Sequence, residues 1–336
     1  MSRFGIVVVA TSLTLNLLTG PAAAYDPVPE EDGFSGFINP GLAYTTVKSN
    51  TLAGDLGTKR IDSLTARPGS QSSTGFRMPF NVAYTFAEPK IQVFAGTRLL
   101  DLLRFDFATQ LGVKKQFENG SALTVGYLFS AFPGKLWQDP FVVDQKRKST
   151  DRDSYGVRVR YDRILGSNFE AEVSYRKIDV DKESSGEWLG LSESQRKQLR
   201  RKGDQTRVEL AYQYGIGEGR HAFVPAINYV DYDLDGDAMA SKEIGLQLTH
   251  LYFGDRWRFV TNLFGARNNY DARHPVYART RDETVYGASF QAFYSQPFGV
   301  KNLSVAGQLS GFMGDSNIDF YDVQASVLGA SVLYRF

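Results

Sequence analysis

The chain carries 3 histidines and no cysteine, so a lipase-, deacylase- or protease-type site built on histidine would have to use His221, His250 or His274. In a site of that type the histidine stands within hydrogen-bond reach of a nucleophile or an acid. His221 opens an alternating apolar stretch beside the turn Gly215–Arg220. His250 lies in LQLTHLYF, on the same alternate positions as Leu246, Leu248 and Tyr252, which is the company of an aromatic rim. His274 lies in ARHP, read as a loop, with no serine partner nearby. No motif of a lipase or protease is present, and no enzyme is expected.

Asp231, Asp233 and Asp235, followed by Gly236, match the opening of a calcium loop, with oxygen donors at alternate positions and then a glycine. The bidentate acid that should close the loop is replaced by Lys242, and Glu243 comes one residue late. The other reading is a solvated acidic tip with a glycine turn, and calcium at these three residues is the one cofactor to test. Ser192 to Gly203, SESQRKQLRRKG, opens with Ser192 and has Gln195 three residues later, a capping box. A short helix carrying Arg196, Lys197, Arg200, Arg201 and Lys202 is expected. It could line a mouth as a constriction that attracts anions, meet a phosphate-bearing surface, or be a solvated helix without a role.

The most informative polar residues recur at every second position. Arg104 and Asp106 interleave with Phe105 and Phe107, Lys114 follows Val113, and Arg158 and Arg160 interleave with Val157 and Val159. Glu170, Glu172 and Arg176 alternate with Ala171, Val173 and Tyr175, Arg207 and Glu209 flank Val208, and Arg258 follows Trp257. Successive side chains of a strand point to opposite faces, so each stretch has one apolar and one charged face. Single charges are too costly in a dry interior, so the charged faces line water or a dense lattice of pairs. Cations outnumber acids in this set, which hints at anionic or hydroxylated solutes.

About fourteen such stretches follow one another. They are approximately 34–48, 76–86, 91–99, 104–117, 122–132, 154–162, 169–176, 206–214, 221–232, 241–252, 256–267, 283–295, 301–313 and 320–336. Twelve or sixteen lie within the error of boundaries read from sequence. Short connections near 87, 118, 166, 217, 254 and 298 alternate with longer ones near 60, 142, 192, 236, 275 and 316; a short connection near 101 breaks the series. Pro40, Pro79 and Pro225 fall in these stretches and predict bulges or strand ends, because proline removes a ladder donor.

Beyond the N-terminus there is no apolar run long enough for a transmembrane helix. The mean hydropathy of −0.29 does not decide against a membrane, because in a barrel only alternate residues meet lipid. Residues 1–24 read as a signal peptide, with Arg3, an apolar core Ile6–Leu18 and small residues Ala22–Ala24. Its removal takes one of the 38 basic residues and leaves basic and acidic side chains balanced at 37 each, which gives no support for nucleic-acid binding. Residues 25–32 form an acidic lead-in, and 33–336 the membrane domain. In the last stretch Phe336, Tyr334, Val332, Ala330 and Leu328 share one apolar face. An aromatic terminus with Tyr334 two places before it is similar to the C-terminal signal by which the barrel-assembly machinery recognises outer-membrane barrels for insertion.

Several motifs carry a resemblance: GFSGFINPGLAYTTVKSN at 33–50, TLAGD at 51–55, LWQDPF at 136–141, TDRDS at 150–154 and DLDGDAM at 233–239. Together they resemble an uncharacterised family of proteobacterial outer-membrane proteins, a domain of unknown function, over the whole mature chain. The resemblance implies an outer-membrane barrel and carries over no catalytic or ligand residue.

The expected fold is all-β, a transmembrane antiparallel up-and-down β-barrel in the bacterial outer membrane. The expected function is passive passage of small hydrophilic solutes. The alternative is a closed barrel with a structural or surface-binding role through its outer loops. Outer-membrane lipid and lipopolysaccharide are the expected surroundings. Matched Arg–Glu ladders across neighbouring strands would favour closure, and an unpaired basic stripe conduction.

Overall fold

The computed structural model describes residues 27–97, 108–217 and 219–336; the expected signal segment, Arg104 and Asp106 lie outside them. The described residues form a closed 14-strand antiparallel barrel. In chain order the strands are β1 (Gly33–Ile38 and Gly41–Lys48), β2 (Ser70–Arg77 and Phe80–Phe86), β3 (Ile91–Thr97), β4 (Thr109–Gln116) and β5 (Ala122–Phe129 and Gly134–Trp137). Then come β6 (Ser149–Asp162), β7 (Phe169–Val180), β8 (Gly203–Tyr212 and Tyr214–Ile216), β9 (His221–Leu234) and β10 (Ser241–Phe253). The barrel ends with β11 (Trp257–His274), β12 (Arg279–Ser295), β13 (Leu303–Ser316) and β14 (Val323–Arg335).

Each strand pairs with its sequence neighbours, and β14 returns to β1, with Phe37 opposite Arg335 and Leu42 opposite Ala330. Phe336 exchanges both backbone hydrogen bonds with Gly36, at 3.0 and 3.1 Å. Closure leaves no edge, which is what the absence of water in a bilayer demands of a sheet.

Two of the three prolines behave as their missing N–H requires. Asn39–Pro40 interrupts β1 and Met78–Pro79 interrupts β2 at facing positions, while the register continues on both sides, Gly33 with Thr85 and Gly41 with Arg77. One gap thus absorbs two prolines, and the Asn39 N–H still donates to the Pro79 carbonyl at 2.9 Å. Pro225 sits within an unbroken β9. The bulge or strand end expected there is absent, and the nearest interruption is in the neighbouring β8, at Gln213.

Outward positions form an apolar band with aromatic rims, as in membrane barrels. Tyr155, Tyr175, Tyr229 and Tyr286 stand toward the long loops, and Phe169, Tyr212, Trp257, Tyr334 and Phe336 toward the short turns. Several strands continue past the outer rim. β11 reaches His274 and β12 starts at Arg279, beyond the 267 and 283 read from the pattern, because outward residues there (Arg267, Asn269, Asp282) are polar and the apolar alternation has ended. β2 starts at Ser70, inside a stretch read as loop. β14 starts at Val323 and not at residue 320, because Phe320 and Tyr321 turn inward in a 3₁₀ turn and are buried.

Candidate functional site: the lumen and its cap

The inner face has two chemically different walls. On β6 to β8 it is charged. Arg158 Nε lies 3.1 Å from Glu172 Oε1, with side chains 4% and 3% exposed. Arg160 grips Glu170 through Nε at 2.7 Å and Nη2 at 2.9 Å, and its Nη2 also lies 2.5 Å from Asp162. Arg207 reaches Glu209 on its own strand at 3.1 Å. Glu172 and Glu209 face each other across β7 and β8, and each is held by one of these arginines. Like charges directly opposite repel, so the arginines make this register tolerable. Lys114 and Arg176 are buried on the same side of the barrel. Arg258 is half-buried on the inner face at the turn end of β11.

On β10 to β13 and β1 the inner face is polar without charge at mid-height. The register sets Thr249, Asn262, Ser289, Ser310, Val327, Thr45 and Ser73 side by side across seven strands. The adjoining row contains Gln291 opposite Gln308. Asn262 Nδ2 donates to Thr249 Oγ1 at 2.8 Å, and Gln308 Nε2 to Ser310 Oγ at 2.9 Å. Thr45 Oγ1, Asn262 Oδ1, Ser289 Oγ and Gln308 Oε1 have no hydrogen-bond partner among the protein atoms, although all four residues are buried.

The outer mouth is covered. Six loops, 49–69, 138–148, 181–202, 235–240, 275–278 and 317–322, meet in one hydrophobic core. Ile61, Phe141, Leu199, Ile318, Phe320 and Tyr321 are its buried members, with Met239 and Val276 packed against them. Beneath it Leu52 and Leu56 fold onto the inner face of β1 and β14 at Ala43, Val47, Ala325 and Val327. The first loop crosses toward β5, where Leu52 bridges to Leu136 and the Ala53 N–H donates to Lys135 O at 3.1 Å.

Three polar residues hold the loops together. Arg147, 3% exposed, donates to Asn50 O at 2.7 Å, Pro140 O at 3.1 Å and Thr58 O, and lies over the Trp137 ring at 4.5 Å. Asp139 accepts from the N–H groups of Phe141, Gly186 and Trp188 at 2.9–3.1 Å. Arg201 pairs with Glu183 at 2.6 Å and donates to Trp137 O at 2.8 Å.

Residues 33–335 match the family described as "Protein of unknown function (DUF2860)". The chain belongs to this family. No curated protein matches its sequence. Among solved structures it is similar to the outer-membrane channel DcaP of Acinetobacter baumannii, with 9% identity, coverage of 91% of this chain and 97% of that one, and a TM-score of 0.45. It is similar to an anion-selective porin of Comamonas acidovorans, with 9% identity, coverage of 91% and 99%, and a TM-score of 0.40. It is also similar to OccAB4 of Acinetobacter baumannii, with 11% identity, coverage of 92% and 100%, and a TM-score of 0.40. At these scores the likenesses carry no argument about solutes. The closed even-stranded barrel, its apolar band, and short turns at one end with long loops at the other place this member of the family in the bacterial outer membrane.

The structure brings only some of the residues singled out from sequence together. Arg158, Arg160, Glu170, Glu172, Arg207 and Glu209 come together in one wall. The basic run is only partly a helix, α1 (Glu193–Lys197), with the expected capping box from Ser192 and Gln195. Arg200, Arg201 and Lys202 lie beyond it. Leu199 is drawn into the cap core, which ends the helix, while Arg201 pairs with Glu183 and Lys202 with Asp179 at 2.6 Å. Asp231 and Asp233 do not converge. They lie on β9 at outward positions about 7 Å apart along an extended backbone, and no metal-holding group of three acids or histidines occurs among the described residues. Gly236 has a different reason to be glycine: a Cβ there would stand 2.5 Å from Arg200 N and 2.6 Å from Arg200 O, so its bareness lets two loops touch.

His221 and His250 stack on the outer face, Nδ1 to Nε2 at 3.0 Å, with the Phe223 ring 4.5 Å from His250, so they belong to the turn-side aromatic rim. His274 is not in an open loop. It is the last residue of β11, fully buried, its Nε2 2.8 Å from the Tyr321 hydroxyl and its Nδ1 accepting the Val276 N–H at 3.2 Å. Sequence reasoning missed Arg281, whose guanidinium lies between the Tyr270 and Tyr321 rings at 3.5 and 3.9 Å and whose Nε is 3.2 Å from Glu283. The alternation of Arg281 and Glu283 in TRDETVYG is its signal, hidden because the apolar pattern starts β12 too late.

Burial, with Arg281 nearby, pushes the His274 pKa down to about 3. Above the unfolded value near 6.5 the ring is neutral in both states and its contribution is complete. As pH falls through that window the unfolded loops take up a proton that the folded cap refuses, and stability is lost at about 1.4 kcal/mol per pH unit until the folded value is reached. Hydrogen exchange of residues 137–148 and 316–322, corrected for intrinsic rates, is expected to accelerate at pH 4.5 relative to pH 7.5. His274→Asn should remove most of that difference, and an unchanged difference in the variant rules out this histidine as its cause.

Proposed function

We propose that this barrel is a passive channel for small hydrophilic solutes, with its outer mouth closed by the loop cap at rest. The observation that carries the reading is the uncharged polar row on β10 to β13 and β1, where buried hydroxyl and amide atoms have no protein partner. Leaving such an atom dry costs about 1–3 kcal/mol, so the interior holds water. A folded scaffold filled only for stability would use apolar side chains there.

The second reading is a permanently closed barrel that serves through its surface. The knitted cap and the buried Arg158–Glu172 pair favour it. Planar-bilayer recordings separate the two: small steady conductance is expected, larger in variants with a loosened cap. A folded barrel that passes no current at any voltage and no labelled sugar in liposomes, with cap loosened as well as intact, leaves only the second reading. The paired wall neutralises most of its own arginines, so any anion preference should be modest. Lys197 and Arg200, exposed on the cap, are the cations placed for lipopolysaccharide phosphates.

The same proposal assigns insertion by the barrel-assembly machinery to the last strand, through Tyr334 and Phe336. Deleting Phe336 removes both backbone bonds to Gly36 and a rim aromatic. The fraction of heat-modifiable, assembled barrel in outer-membrane fractions is expected to fall clearly below wild type. Unchanged assembly would exclude that role for the terminus.

A further inference from the structure

We infer that Arg258 and Arg335 form a binding site for small soluble oxyanions, phosphates and carboxylates, at the turn end of the lumen. The inference rests on the channel reading for its physiological meaning, but the binding itself does not. Both side chains are on the inner face. Arg335 alternates with the outward Tyr334 and follows the buried Leu333 on β14, and Arg258 precedes the buried Val260 and Asn262 on β11. On the two strands between them the inward residues nearest the turns are Ser295 and Ser304, which stand opposite each other and are short. The arginines are close enough that the charge of Arg258 acts on Arg335.

This pair lacks what other inner-face arginines have. Arg158, Arg160, Arg207 and Arg281 each hold a carboxylate. Arg258 and Arg335 hold none among the described residues, and Asp255, the acid nearest in sequence to Arg258, is exposed on the turn. A guanidinium drawn out of water without a counter-charge is costly, and here two of them repel each other. The buried Phe293 and Leu333 behind them lower the local dielectric and strengthen their pull on an anion. Guanidinium forks match carboxylate and phosphate oxygens in two-point contacts. Both arginines are only half-buried, so an ion can reach them from the turn-side mouth. The N-terminal lead-in runs from β1 toward β4 and away from them; Val28 is buried there, its N–H donating to Gln116 Oε1 at 2.7 Å. Lipid phosphates lie on the other side of the wall, so the anion is a soluble one.

The test uses inorganic phosphate with the purified full-length barrel in detergent, at constant ionic strength so that general screening does not change. Saturable broadening of the phosphorus NMR line is expected. Arg258→Gln and, separately, Arg335→Gln should each weaken phosphate binding about tenfold, the loss of one charge-assisted contact. Lys242→Gln removes an exposed outward cation and should leave binding unchanged. Heat-modifiable migration shows which variants are folded. Arg335 lies beside the terminal aromatic, so Arg258→Gln decides alone if the other does not assemble. No saturable broadening, or binding unmoved in the folded arginine variants, overturns the inference. So does an equal loss in Lys242→Gln, which would mean diffuse attraction to the surface. Bilayer currents are read separately: phosphate binding without conductance leaves this site standing and removes the channel reading, while conductance without phosphate binding keeps the channel and removes the site.

Discussion

Arg147→Met is expected to pass several times the wild-type current in planar bilayers. Arg147 fastens the loop 49–69 to its own loop 138–148, with donors to carbonyls of residues 50 and 58 in the one and 140 in the other. Each buried carbonyl left without its donor costs about 1–3 kcal/mol, enough to shift a packed cap toward open forms. Burial already lowers this arginine's pKa to about 10, so at neutral pH it remains a cation and keeps these donors. Methionine retains much of the contact with Trp137 but supplies no donor. The barrel wall should survive, because the bonds lost lie between loops. Faster hydrogen exchange in residues 49–66 and 138–148 with no change in current would mean that the cap is not what closes the pore.

Glu172→Gln is expected to be the most damaging single change in the wall. The Arg158–Glu172 pair is almost fully buried, and breaking such a pair from one side costs about 3–5 kcal/mol, because a desolvated charge loses its counter-charge. Thermal unfolding should move down markedly, and any remaining conductance should become more anion-selective, since the wall gains one net positive charge. Removing both charges, in Arg158→Met/Glu172→Met, should recover much of the stability and none of the selectivity. Glu209 faces Glu172 across β7 and β8, so the single change also relieves a like-charge contact, which sets the cost toward the lower end. A single variant as stable as wild type would show that water, and not the carboxylate, balances Arg158.

The charged wall is legible in the sequence because strand alternation is a local property. Val157, Arg158, Val159 and Arg160 cannot point the same way, and the apolar partners fix which way is out. The neutral row is not legible there. Thr45, Asn262, Ser289 and Gln308 are common residues with no motif, and they become a feature only when register aligns strands drawn from both ends of the chain. His274, read as a loop residue, and Arg201, read as part of a basic helix, are misplaced by sequence reasoning for a related reason: nothing in ARHP or RRKG shows that other loops fold over them.

The sequence alone determined the strand number to within two, the direction in which each strand faces, the gaps at Pro40 and Pro79 and the membrane that receives the barrel. All of these follow from side-chain period and backbone donors within a few residues. The motifs LWQDPF, TLAGD and DLDGDAM are visible in the sequence, but their work is not: Asp139, Phe141, Ala53, Gly236 and Met239 meet only in the cap. Whether the mouth is covered, whether arginines are free or paired, and where polar atoms lie buried without partners depend on contacts between residues far apart in the chain. Only the tertiary structure decides those, because the free energy of a buried charge or a packed loop is set by what stands opposite and not by what stands next to it.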